Sequence, residues 1–185
     1  YGFTGTMPED KLDWWNIIGK IGTILYEKNS YDLRQEGYIA NAQILKLELV
    51  HKTRLHAPDD VNPYRYEIGF LMESTFRNGV IARLANNADN NILIMIDFIK
   101  HGEALYEACK VACPSKQVYF IRGDVEIDER ERIKQLVEAG NNVVIVAISK
   151  IFSTGINIKN LHYIAFAGGG KARIKIIQSI GRGLR

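Results

Sequence analysis

Residues 91–97 read Asn91-Ile92-Leu93-Ile94-Met95-Ile96-Asp97, five apolar side chains in a row between two polar ones. A strand with one solvated face alternates apolar and polar residues. A strand covered on both faces reads instead as a continuous apolar run. Val143–Ile148 (VVIVAI) repeats the pattern, and Gln117–Ile121 (QVYFI) and His162–Ala167 (HYIAFA) add two more candidate strands. Helical segments fall between and after them: Gly102 to Cys113, Asp128 to Ala139 with Gly140 as a stop signal, and Lys171 to Ile180. Strands alternating with helices predict an α/β fold, a parallel sheet flanked by helices. Right-handed crossovers in such a sheet place the working loops at the C-terminal ends of the strands.

Upstream the pattern is looser. Tyr64 to Asn86 has helical spacing at Ile68, Leu71, Met72, Val80, Ile81 and Leu84, with an expected interruption near Asn78-Gly79. His56–Pro63 is a loop by its turn residues, and Ala42–Thr53 alternates enough to predict a half-buried strand. Glu27 to Gly37 reads as a polar connector, and Glu9 to Ile24 as a helix with Trp14, Trp15, Ile17, Ile18 and Ile21 on its apolar face. Tyr1–Thr6 reads as a strand end and its loop. Either tryptophan could stack a base, but packing of the helix is the plainer use.

The chain has 185 residues, enough for one domain or one domain plus a fragment. It is 46% hydrophobic and 24% charged, which excludes disordered, collagenous and disulfide-scaffold classes. No apolar run approaches the roughly 20 residues of a membrane span, and no signal-peptide pattern opens the chain. These features point to a cytoplasmic protein without a membrane partner. Cys109 and Cys113 are the only cysteines, and no second Cys/His pair completes a zinc site, so they read as small core residues. The chain opens at Tyr1 rather than Met and closes at Arg185 after a patterned segment, which we read as a piece of a longer protein.

The net charge of +3 conceals an asymmetry. Glu138 is the last acid; from Ala139 onward the chain carries seven cations and no acid, +7 against −4 for the part before it. Such a tail suits a polyanion or a phosphate, although a tail rich in buried strands also lacks acids.

The loops after the strands carry the candidate chemistry. After the first come Lys100, His101 and Gly102 at a helix start, where free N–H groups and added charge suit a phosphate. After the third come Ser149, Lys150, Ser153, Thr154, Gly155 and Asn157, a set able to meet phosphates and a ribose. After the fourth comes Gly168-Gly169-Gly170-Lys171, which reads as a turn, because no Gly-x-x-x-x-Gly-Lys-Ser/Thr phosphate loop occurs in the chain. The final segment holds Gln178, Arg182 and Arg185, with the two arginines three apart and so on one side of a helix. Paired guanidinium forks fit a triphosphate.

In order and spacing, these segments resemble the second RecA-like domain of a superfamily 2 helicase. Thr4-Gly5-Thr6 resembles motif III, Ile92–Asp97 with its loop motif IV, Gly123-Asp124 with Arg130 the "Gly-Asp … Arg" stretch, Ser149 to Asn157 motif V, and Gln178-x-x-Gly181-Arg182-x-x-Arg185 motif VI. Phe152–Ile156, Lys159–His162 and Gln178–Arg182 are similar to the phage UvsW-type subgroup of DNA helicases. The resemblance implies a RecA-like parallel sheet over residues 39–185, preceded in residues 1–38 by the end of a first RecA-like domain and a connector. It implies ATP as cofactor, with Mg²⁺ held mainly by the absent first domain. The implied partners are that domain and single-stranded or branched DNA, in the cytoplasm of a microbial host cell if the gene is a phage's.

By position it makes Arg182 and Arg185 arginine fingers, Gln178 their organiser, and Gly155 and Asn157 neighbours of the ATP ribose. Ser149, Lys150, Lys100, His101 and Gly102 become contacts to DNA phosphates, and Thr4 and Thr6 a link between ATP state and DNA binding. Two positions depart from the common pattern: Asn157 stands where many members have Asp, and Lys150 where related families often have Asp. Such a fragment would unwind, branch-migrate or anneal DNA only as part of the longer enzyme. An RNA helicase half and a non-catalytic α/β nucleic-acid-binding module remain the alternatives.

Overall fold

The computed structural model describes residues 2–4, 7–41, 43–52, 55–122, 127–150, 158 and 160–168, with the backbone alone for 127–130. These residues form two compact units that divide between Ile44 and Leu45.

The first unit carries two helices, α1 (Lys11–Ile21) and α2 (Ser30–Gln35). Each starts where a side chain satisfies the amides that the first turn leaves free. Asp10 accepts from Leu12 N at 2.8 Å and Asp13 N at 3.2 Å, and Asn29 accepts from Asp32 N at 2.9 Å. The segment read as a connector thus contains a short helix, whose cap is a single Asn in a polar stretch. Neither helix buries a residue, and Gly2–Thr4 has no regular structure.

The second unit begins with residues 45–52, which run without regular structure. The expected strand over Ala42–Thr53 does not form among the described residues. Ile44, Leu45, Leu47 and Val50 are all more than 60% exposed, because no neighbouring strand offers the backbone partners that alternation alone cannot supply. Helices α3 (Pro63–Glu73) and α4 (Thr75–Asn87) follow. The break between them falls at Ser74, not at Asn78-Gly79. Ser74 ends α3 in extended backbone and caps α4 through Arg77 N to Oγ at 3.2 Å. Asn78 continues α4 as a buried residue whose Nδ2 donates to Met72 O at 3.0 Å.

The remainder alternates strand and helix: β1 (Ile92–Ile96), α5 (Ile99–Ala112), β2 (Gln117–Ile121), α6 (Ile127–Ala139), β3 (Val143–Ile148) and β4 (Tyr163–Phe166). All four strands are parallel, in the order β2-β3-β1-β4. The period of two along β1 divides the core. Ile92, Ile94 and Ile96 join Ile81, Ala82 and Ala85 of α4 and Leu105 and Cys109 of α5. Leu93 and Met95 join Ile133 and Val137 of α6 on the other face, with Ile145, Ala147 and Ile158. β1 is buried along its whole length, as the continuous apolar run requires. Cys109 and Cys113 sit in this core, and burial pushes the Cys109 thiol up to about 12. The final helix expected over Lys171 to Ile180 lies outside the described residues. No described helix is long and apolar enough to cross a membrane.

The N-terminal edge of the sheet is fastened by asparagines. Asn91, fully buried, donates from Nδ2 to the carbonyls of Val137 (2.9 Å), Gly140 (2.9 Å) and Asn160 (2.8 Å), and its Oδ1 accepts from Val143 N at 2.9 Å. One side chain thereby ties the entry to β1 to the end of α6, the start of β3 and the approach to β4. Lys116 closes the end of α4 by donating to the carbonyls of Ala85 (2.7 Å) and Ala88.

Candidate nucleic-acid interface

The opposite edge, where the strands end, holds the described part of the predicted site. The central strands β1 and β3 are neighbours in the sheet. The connection leaving β1 packs through α5 on one face, whereas Ile158, on the connection leaving β3, packs on the other. Adjoining strand ends whose connections depart over opposite faces open the crevice in which α/β sheets bind ligands.

Ser149 and Lys150 leave β3 in a helical turn at this crevice. Ser149 is 5% exposed and donates its Oγ proton to Ile96 O at 2.8 Å, so its hydroxyl joins the ends of β3 and β1. Lys150 is exposed.

Beyond β1, Asp97 and Phe98 lead into α5. Of the three residues expected to grip a strand here, only Lys100 faces solvent. Its ammonium donates to Glu73 Oε1 at 2.7 Å, and with both side chains largely exposed a phosphate can compete for it. That hydrogen bond raises the pKa of Lys100 and lowers that of Glu73. His101 turns inward and is 2% exposed. Its Nε2 lies 3.1 Å from Asn78 Oδ1 and 3.2 Å from Arg77 Nη1. Burial first, and the Arg77 charge second, push the imidazole down to about 4, with Asp97 opposing. A neutral, buried ring adds no charge to a phosphate contact. Gly102 is buried as well: a Cβ there would collide with Ile96 and with the Phe120 ring, so the glycine lets α5 approach the sheet. In this placement His101 and Gly102 hold the helix that carries Lys100.

Thr4 is exposed and belongs to the first unit. Thr6, Gly155, Asn157, Gln178, Arg182 and Arg185 lie outside the described residues, as do Gly123, Asp124 and the side chain of Arg130. Among the described residues no three His, Cys, Asp or Glu side chains gather as a metal site.

Arg77 and Asn78 are absent from the sequence-based site. The signal for Asn78 was present: it precedes Ile81, Ala82 and Ala85 by three, four and seven positions, so a polar residue stands on the core stripe of α4. Arg77 carries no such mark. Its Nη2 donates to Ala167 O, at the end of β4, at 2.5 Å, and partial burial lowers its pKa.

Residues 75–185 match the helicase conserved C-terminal domain family. Over its whole length the chain is 30% identical to the ATP-dependent DNA helicase uvsW of enterobacteria phage T4, and it spans 37% of that protein. The crystal structure of T4 UvsW matches with a TM-score of 0.56 at 35% identity, covering 67% of this chain and 25% of that one. The C-terminal part of the Fun30 ATPase domain matches with a TM-score of 0.51 at 12% identity, covering 62% of this chain and 38% of that one, a likeness of fold alone.

Proposed function

Because this chain belongs to the helicase conserved C-terminal domain family, we propose that it is the C-terminal motor half of an ATP-dependent superfamily 2 DNA helicase or translocase. The observation that carries the reading is the 30% identity to an ATP-dependent DNA helicase in a match that covers the whole chain. The acid-free tail supports it, since the segments expected to meet DNA and ATP phosphates fall there.

In this reading residues 1–38 close a first RecA-like domain and residues 39–185 form the second. The first domain supplies the phosphate loop and the carboxylates for Mg²⁺. ATP with Mg²⁺, when bound between the domains, supplies the phosphoryl group that is cleaved. Arg182 and Arg185 offer paired forks to the charge that develops on that group, an effect worth about 10³–10⁵ in rate. Gln178 orders them, and Gly155 and Asn157 border the ribose. Lys100 and Lys150 hold DNA phosphates at the C-terminal edge of the sheet. Ser149 fixes the strand ends beneath them, with His101 and Gly102 packing the helix behind Lys100. Thr4 and Thr6 relay the ATP state to the DNA grip. The whole protein would unwind, branch-migrate or anneal DNA, binding it through phosphates and hence with strong salt dependence.

The test is ATP turnover by two proteins. The whole protein hydrolyses ATP faster with single-stranded DNA present. The 185-residue chain alone binds nucleotide weakly and turns over none. DNA-stimulated hydrolysis by the 185-residue chain alone would contradict the division of labour.

A further inference from the structure

Arg77 stands on α4, outside every motif segment, yet its guanidinium spans the start of α5 and the exit of β4, on both of which the proposed function depends. Nη1 meets His101 Nε2 at 3.2 Å, next to Lys100 in the first turn of α5. Nη2 donates to Ala167 O at 2.5 Å, where β4 ends and the chain runs on toward Gln178, Arg182 and Arg185. The exit of β4 also meets the end of β1 directly. Ala167 N and Gly168 N both donate to Met95 O, at 2.8 and 3.0 Å, and a Cβ on Gly168 would collide with the Asp97 carboxylate. Asn78 Oδ1 lies 3.1 Å from the same ring nitrogen, and its Nδ2 is anchored on Met72 O, while Ser74 caps the turn that presents Arg77. A planar fork with donors fixed in direction serves two acceptors at once, which a flexible ammonium does not.

We propose that Arg77 is a positioning residue: it locks the start of α5, which carries Lys100, to the exit of β4, so that DNA held at the first acts on ATP turnover through the second. The inference rests on the motor reading and deepens it. Arg77 touches neither DNA nor ATP; it makes the start of α5 and the exit of β4 move as one.

The experiment measures ATP turnover by the whole protein against the concentration of an oligo-dT strand at saturating ATP, for wild type, Arg77→Met and Arg77→Lys. Arg77→Met keeps DNA-free turnover within about twofold and half-saturating DNA within about threefold, whereas maximal stimulation by DNA falls about tenfold. Arg77→Lys, which keeps the charge and one of the two contacts, recovers part of that loss and covers the case in which Arg77→Met does not fold. Asn91→Ala, on the far edge of the sheet, is the control for simple destabilisation and keeps the wild-type ratio of stimulated to basal turnover. Full stimulation in Arg77→Met, or in Arg77→Lys if only that variant folds, overturns the proposal. So does a parallel fall of basal turnover, stimulation and DNA affinity. A wild-type protein that DNA does not stimulate at all overturns the motor reading instead, and this proposal with it.

Discussion

The two edges of one parallel sheet use polar side chains in opposite ways. At the N-terminal edge, Asn91 spends its amide on four backbone partners and Lys116 caps the end of α4. Asn160 adds a bond to Gly140 O at 2.8 Å. These bonds tie the chain to itself. At the C-terminal edge the buried Ser149 and His101 and the half-buried Arg77 also bond inward, but they do so beneath lysines that face solvent. One edge holds the fold; the other holds a surface in place. Substitutions at the first should therefore cost stability, and substitutions at the second should cost function.

The largest expected effect belongs to the acid-free tail that follows β4 in the sequence. In the whole protein, Arg185→Ala lowers ATP turnover by about 10³-fold or more while DNA affinity changes little, read by steady-state turnover beside fluorescence anisotropy. Equal loss of both would remove the finger assignment.

Asn91→Ala follows, at the N-terminal edge. It removes the acceptor of Val143 N and a donor to the carbonyls of Val137, Gly140 and Asn160, and urea unfolding should show a loss of about 3 kcal/mol.

His101 gives a pH signature between the two. Its folded pKa of about 4 lies below the usual 6.5, so between those values the unfolded chain binds the extra proton. Its contribution is complete above pH 6.5 and is lost as pH falls toward 4, about 2–3 kcal/mol in all. Urea midpoints at pH 4.5 and 7.5 should differ less in His101→Gln than in wild type. An equal difference in the two proteins would mean that the imidazole titrates normally.

The smallest effects are the lysines'. Lys100→Ala and Lys150→Ala should each reduce the slope of log affinity for DNA against log salt by about 1, with the urea midpoint unchanged.

What could be read from the sequence follows from how local the cause is. Ile92–Ile96 and Val143–Ile148 announce themselves because burial on both faces writes one uninterrupted apolar run. The helices between them carry their own spacing and stops. Ala42–Thr53 misleads because alternation describes one strand and says nothing of the partner it needs. The six-residue α2 and the break at Ser74 turn on single caps, Asn29 and Ser74, that look like ordinary loop residues. The site divides the same way. The positions of Lys100, Lys150 and Ser149 at strand exits were legible, but not that the Ser149 hydroxyl, expected at a DNA phosphate, is buried and bonds inward to Ile96 O. The inward turn of His101 was not, because it depends on Arg77 and Asn78, which precede it by 24 and 23 positions on a helix that packs alongside.

The most direct test sets the two edges against each other in the whole protein. Asn91→Ala and the double variant Lys100→Ala/Lys150→Ala are compared for urea midpoint and for the salt slope of binding to single-stranded DNA. A lowered midpoint with an unchanged slope is expected for the first, and an unchanged midpoint with a slope reduced by about 2 for the second. A double variant that binds DNA with the wild-type slope would contradict the phosphate contacts assigned to the two lysines.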